Sequence, residues 1–241
     1  MSHVKQILSL VREGDFAHPG EIEAIEQTLR PIPKQANQLI LDVGCGLGGT
    51  AHYVQEQGWG RVTGLDLDQG LIHYAKEHYP ELFFIQGDIL QTVFPPSFEL
   101  IYCFSSFFCF ADQEKALQQL AQAAAKDGHL VLFDYSRFAD QAIESPFFWS
   151  STALRFYPIY LPELKKLLAK TGWIYKESSN ITSSFVQWYT DLMNRFEQHQ
   201  AQIIKQFGQS AFNQMYQGYQ QLLKELKVGR VGGIIVYAQR A

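Results

Sequence analysis

Cysteine is scarce in this chain, and none of the three present, Cys45, Cys103 and Cys109, stands at a paired spacing. That argues against a disulfide framework and a cysteine-built metal site; no metal is expected, and each thiol reads as a small buried apolar group in a reduced, cytoplasmic protein. No apolar run reaches membrane-spanning length and no signal-peptide pattern opens the chain, so no stable membrane insertion is expected. Positive charge is also short: 20 Lys and Arg against 24 Asp and Glu leave a net charge of -4, with no basic run to track a phosphate backbone. Nucleic acid is disfavoured, and the expected partner is a small molecule met by a monomer or homodimer. Repeats and domain linkers are missing too. With 46% hydrophobic residues among 241, the chain can bury one sizeable core, and a single domain over residues 1–241 is expected.

What the chain does have is alternation. Val4, Ile7, Leu8 and Val11 recur at helical spacing, "GDFAHPG" breaks the run, and a second helix over Glu21–Leu29 stops before Pro31 and Pro33. Residues 1–37 thus read as a helical cap. "QLILDV", "RVTGLD", "LFFIQGD", "FELIYCF" and "HLVLFDY" then read as five strands separated by helices, the last of these over "DQEKALQQLAQAAAKDG" with a glycine stop. Strand, helix, strand at this spacing implies an α/β fold with a parallel sheet. Residues 136–160 read as an irregular or partly helical insertion, "LPELKKLLAKTG" as a helix and "WIYKESSNI" as a strand. Residues 184–228 read as a second, helical insertion broken at Gly208, before a closing strand "GGIIVYAQ".

The richest local signal is "LDVGCGLGGT", residues 41–50. Its glycines follow a strand and open a helix, where a bare backbone can approach a ligand closely. Gly44, Gly46 and Gly49 also satisfy the dinucleotide pattern G-x-G-x-x-G, which alone is weak. Three acids bear on the choice: Asp42 and Asp88 weigh against a dinucleotide, whereas Asp66 suits either ligand and marks only a nucleoside. Asp42 stands beside the loop, where a pyrophosphate would meet negative charge but a ligand with an ammonium and a sulfonium would be welcomed. Asp66 ends the second strand, where a carboxylate accepts a ribose diol. Asp88, in "QGDIL", can accept from an adenine amine, with Ile89 and Leu67 placed to sandwich the ring.

On these motifs, in this order over residues 38–135, the chain resembles the class I S-adenosylmethionine-dependent methyltransferases. The resemblance implies a Rossmann-like seven-stranded sheet with helices on both faces, its last strand antiparallel, and S-adenosyl-L-methionine as cofactor. Gly44, Cys45, Gly46 and Phe104 join the three acids, Leu67 and Ile89 as implied cofactor contacts. "HPGEIEAI", "VGCGLGGTAHYV", "FDY" and "GRVGGIIVYA" are similar to the small-molecule N-methyltransferases acting on phosphoethanolamine, sarcosine or dimethylglycine. By that likeness the segment around Ala17 and His18 closes over the methionine end of the cofactor.

Departures from the phosphoethanolamine pattern are visible: no tyrosine precedes Tyr53, Cys109 or a phenylalanine replaces a histidine after the fourth strand, and Phe104 replaces an arginine. These disfavour phosphoethanolamine itself. The aromatics gathered after the fourth strand and in the insertions favour a lipophilic or cationic acceptor. Phe107, Tyr157 and Tyr160 are the candidate substrate wall, and Tyr135, expected just past the fifth strand at the open edge, is the candidate catalytic residue. Methyl transfer to an amine is the expected activity. Carbon or oxygen methylation of a quinone, phenol or lipid-like acceptor stays open, as does a non-catalytic cofactor-binding protein.

Overall fold

The computed structural model describes residues 3–95, 97–139 and 156–241. The cap consists of α1 (His3–Val11) and α2 (Glu21–Leu29), joined by a strap that lies over the later glycine loop. The alternation follows as β1 (Leu39–Val43), α3 (Gly49–Glu56), β2 (Arg61–Asp66), α4 (Gln69–His78), β3 (Phe83–Gln86) and β4 (Phe98–Phe104). A short 3-10 turn at Phe107–Cys109 leads to α5 (Gln113–Ala123) and β5 (Ala124–Arg137). Beyond it come β6 (Ile159–Tyr160), α6 (Leu161–Lys170), β7 (Trp173–Asn180), α7 (Thr182–Gln198), α8 (Gln200–Phe207), α9 (Gln209–Lys227) and β8 (Val231–Arg240).

The strand order is β3-β2-β1-β4-β5-β8-β7, with the two-residue β6 beside β5. Strands β1 to β5 run parallel, and β8 inserts antiparallel between β5 and β7. The chain therefore winds outward from β1 to β3, then returns to lay β4 on the other side of β1. Such a reversal opens a crevice at the carboxyl ends of β1 and β4, where ligands of α/β sheets bind.

Strand alternation sorts the apolar residues onto two faces. Ile40, Tyr102, Phe104, Phe133 and Tyr135 pack with Ile7, Ile25, Leu29, Phe185 and Leu222, so the cap and the α7/α9 insertion share one face. Leu41, Ile101, Cys103 and Leu132 pack on the other face with Leu117, Leu120, Leu164 and Leu168 of α5 and α6.

Two boundaries differ from the sequence pattern. The alanine-rich helix does not run to Gly128: Ala124 turns extended and pairs with Phe98, so pairing to β4 overrides alanine's helix propensity. Consequently β5 reaches Arg137 and Tyr135 lies inside it, not past its end. The insertion of residues 184–228 is three helices, broken at His199 as well as at Gly208. Most of the 136–160 insertion, residues 140–155, lies outside the described residues. Among the described residues no helix is long and apolar enough to cross a membrane.

Candidate active site

Gly44, Gly46 and Gly48 all have positive φ, at +78°, +57° and +92°, and wind the chain tightly from β1 into α3. The amides of Gly44 and Cys45 both donate to the Leu65 carbonyl, at 2.7 and 3.1 Å, which ties the loop to the end of β2. The Gly46 amide donates to Asp66 Oδ2 at 2.9 Å. A side chain on Gly44 would strike Ser106 Cβ at 2.4 Å, so that glycine serves packing between two turns. At Gly46 an added Cβ would meet only Ala17 Cβ at 3.7 Å, in the gap between loop and strap. Of the three positive-φ loop glycines, Gly46 is thus the one with room on its Cβ side, where the strap's Ala17 faces it.

Asp42 is buried at the end of β1, and its Oδ2 has no hydrogen-bond partner. Burial pushes its carboxyl up to about 8, opposed by the neighbouring Tyr102 hydroxyl and reinforced by the Asp66 charge. A buried carboxylate with one unpartnered oxygen beside the glycine loop is a site that a cationic ligand would complete, because a positive charge restores the ionised form. Asp66 Oδ1 also accepts the Asp68 amide at 2.9 Å, which fixes the carboxylate while leaving lone pairs for a diol. Next to it Leu67 is 66% exposed, an apolar face presented beside the ribose position.

The other expected adenine contacts are differently disposed. Ile89 is packed into the core with Leu41, Val43 and Leu65, so of the two sandwiching residues only Leu67 projects. Asp88 caps its own turn, accepting the Leu90 amide at 2.9 Å and the Gln91 amide group at 3.0 Å. The Cys45 thiol is buried and held well above its ordinary value by burial, so Cys45 offers its backbone and not a thiolate. Phe104 stacks on Phe133 at 5.1 Å and lies 4.8 Å from the His18 ring.

His18 reaches the site from the strap, but its ring is spent inside the protein: Nε2 lies 2.9 Å from Thr50 Oγ1 and Nδ1 3.2 Å from the Pro19 carbonyl. Burial drives its pKa down to about 3, which keeps the imidazole neutral. The strap is latched at two further points. Asp15 accepts Ser9 Oγ and the Tyr79 hydroxyl, each at 2.8 Å. Arg12, buried, donates through Nη1 to the His18 carbonyl and to Glu21 Oε1, both at 2.6 Å.

The expected aromatic wall divides between the two faces of the sheet. Phe107 belongs to the α5/α6 core, because the 3-10 turn rotates it away; Phe108 takes its place, 5.1 Å from Tyr135. Tyr135 is fully buried, hydrogen-bonded to the Tyr189 hydroxyl and edge-on to Phe156 and Phe185 at 5.6 and 5.5 Å. Tyr157 and Tyr160 instead line a separate cavity of about 600 Å³ with Phe110, Arg137 and Glu163, where the Arg137 guanidinium sits 4.7 Å from the Tyr160 ring. Phe156 borders both this cavity and the Tyr135 ring cluster.

Sequence reasoning missed Asp134. Its carboxylate, buried in β5, accepts the Tyr135 and Phe108 amides at 2.7 and 3.2 Å and so fixes the turn after β4. Burial pushes it up to about 7 against the pull of those amide hydrogen bonds. Its signal was present, an acid inside an otherwise apolar strand run. Arg12, Glu21 and Tyr189 gave none, since only the tertiary fold brings them together.

A parallel sheet with its reversal at β1 and β4, a glycine loop under a strap, and acids at the ends of β1, β2 and β3 give the chain the fold of the class I S-adenosylmethionine-dependent methyltransferases. Residues 41–132 match the family described as Methyltransferase domain. Across 219 residues the chain is 22% identical to phosphoethanolamine N-methyltransferase of Plasmodium falciparum, covering 88% of this chain and 82% of that protein. It is 22% identical to the Triticum aestivum enzyme of the same name, of which it spans 43%. Its fold superposes with TM-score 0.87 on Haemonchus contortus phosphoethanolamine N-methyltransferase 2, solved with phosphomonomethylethanolamine and S-adenosylhomocysteine, at 21% identity over 96% of this chain and 56% of that one. The chain thus spans about half the length of the nematode protein and less than half of the wheat one.

Proposed function

We propose that the chain methylates the nitrogen of a small amine, with 38–135 holding the cofactor and the cap and the α7–α9 insertion covering the acceptor. The observation that carries this reading is the buried cluster of aromatic rings of Phe108, Tyr135, Phe156 and Phe185, which adjoins Phe104 and Phe133 over the β4 and β5 ends. The names of the relatives, which act on phosphoethanolamine, support an amine acceptor.

The bound cofactor supplies an electrophilic methyl group on a sulfonium. Asp42, Gly46, Asp66 and Leu67 are the residues that would hold it: charge at Asp42, backbone at Gly46, diol acceptance at Asp66 and an apolar face at Leu67. The protein's remaining task is to align the acceptor and exclude water. His18 and Asp134 are both committed to internal hydrogen bonds, so neither is a ready base. Desolvation beside these rings would lower the amine's own pKa and deliver its lone pair. The aromatic faces then stabilise the cation that forms, by about 0.5–2 kcal/mol each.

Titration calorimetry with S-adenosylmethionine, S-adenosylhomocysteine and NAD, followed by turnover with primary, secondary and tertiary amines, tests the reading. The expected result is binding of the first two, none of NAD, and methylation at nitrogen. Tyr135→Ala should reduce turnover far more than cofactor affinity. Tighter binding of NAD, or a product methylated only at carbon or oxygen, overturns it.

A further inference from the structure

The turn after β4 holds a residue whose conformation packing does not explain. Ser105 has φ +50°, a left-handed backbone that a non-glycine residue adopts only under constraint. Its Oγ is buried and has no hydrogen-bond partner. The backbone around it is firmly pinned: its amide donates to the Phe133 carbonyl at 2.8 Å, extending the β4/β5 pairing one step past Phe104. The following residue, Ser106, donates its hydroxyl to the Val43 carbonyl at 2.5 Å and abuts Gly44. Ser105 is thereby clamped between the end of β5 and the glycine loop, over the crevice where the sheet reverses.

Serine is the wrong residue there for stability alone. Glycine would remove the backbone strain, and alanine would remove the orphaned hydroxyl. Strain and an unmet hydrogen-bonding group coinciding at a ligand crevice point to a partner that arrives with the substrate.

We propose that Ser105 binds the acceptor, its Oγ accepting a hydrogen bond from the N–H of a primary or secondary amine; this rests on the amine reading above. Holding the N–H turns the nitrogen lone pair toward the methyl group. The C–N bond forms as the C–S bond breaks, the bonding pair leaves with sulfur, and the nitrogen keeps its hydrogen while gaining positive charge. The N–H···Oγ bond becomes charge-assisted and strengthens along the reaction, which makes it a transition-state contact. A tertiary amine has no such hydrogen in its reactive form, so Ser105 has nothing to hold at that step.

The test compares wild type, Ser105→Ala and Ser105→Gly on one amine and its monomethyl and dimethyl derivatives, with cofactor affinity and thermal midpoint measured alongside. Both variants should lose about tenfold or more in kcat/KM on the N–H-bearing acceptors. Both should stay within about twofold of wild type on the tertiary one and in cofactor affinity, and Ser105→Gly should melt higher than wild type. Equal losses on all three acceptors, or no loss on any, overturn the assignment while leaving the amine reading intact. Wild type turning over no amine defeats that reading, and the Ser105 contact with it.

Discussion

Asp66 accepts the amides of Gly46 and Asp68 on its two oxygens, so one carboxylate both shapes the glycine loop and faces the ribose position. Asp66→Ala is expected to weaken S-adenosylmethionine binding by about 1.5–3 kcal/mol in calorimetric titration, the scale of hydrogen bonds to a charged group. Two residues on, Asp68 caps α4 by accepting from the Gly70 and Leu71 amides. Asp68→Ala should cost about 1 kcal/mol of stability in urea melts and leave cofactor binding nearly unchanged. These residues were legible because the strand, turn and helix that place them are contiguous in sequence. Phe107 was misread for a local reason as well: a single 3-10 turn exchanges the faces reached by adjacent phenylalanines. Ser105 could not be picked out of "CFSSFF" at all, since its strain and its unmet hydroxyl exist only in the folded backbone.

The cap and the insertion helices meet through charge as well as through apolar packing. Glu21 pairs with Arg12 at 2.6 Å and with Arg195 of α7 at 3.2 Å, while Trp188 Nε1 donates to Glu23 at 2.9 Å. Removing the Glu21 charge leaves the Arg12 guanidinium buried without a counterion. Glu21→Gln should therefore lower unfolding free energy by about 3 kcal/mol in urea denaturation and loosen the strap, read as faster cofactor dissociation. Helix α2 was legible from its stop at Pro31, and the α7–α9 region as a helical stretch broken at Gly208, although its second break at His199 was not. Their mutual docking was not, because helical periodicity says which face is buried and not against what. The register of β8 between β5 and β7 likewise follows from sheet closure, although the apolar run "GGIIVYA" already marked a buried strand.

For the whole molecule, buried acids set the response to pH. Asp42 and Asp134 keep their protons to about 8 and about 7 in the folded chain, against an ordinary value of 3.8. The folded state then holds protons that the unfolded chain releases, so their stabilising effect is complete below pH 3.8 and is lost as pH rises through 7 and 8. His18, driven down to about 3, acts in the opposite sense but is silent above its ordinary 6.5. The melting temperature of the ligand-free protein should accordingly fall between pH 6.5 and 8 in scanning calorimetry. S-adenosylmethionine should counter the Asp42 part of that fall and release a proton on binding at pH 7, visible as a buffer-dependent binding enthalpy. The contact between Glu21 and Arg195 spans 174 positions of the chain. At ribosomal rates of about 5–20 residues per second, roughly 10–35 s separate synthesis of the two partners. Through that interval the nascent glycine loop has no finished roof, and it is the newborn chain, before α7 emerges, that chaperones and proteases meet with its cap undocked.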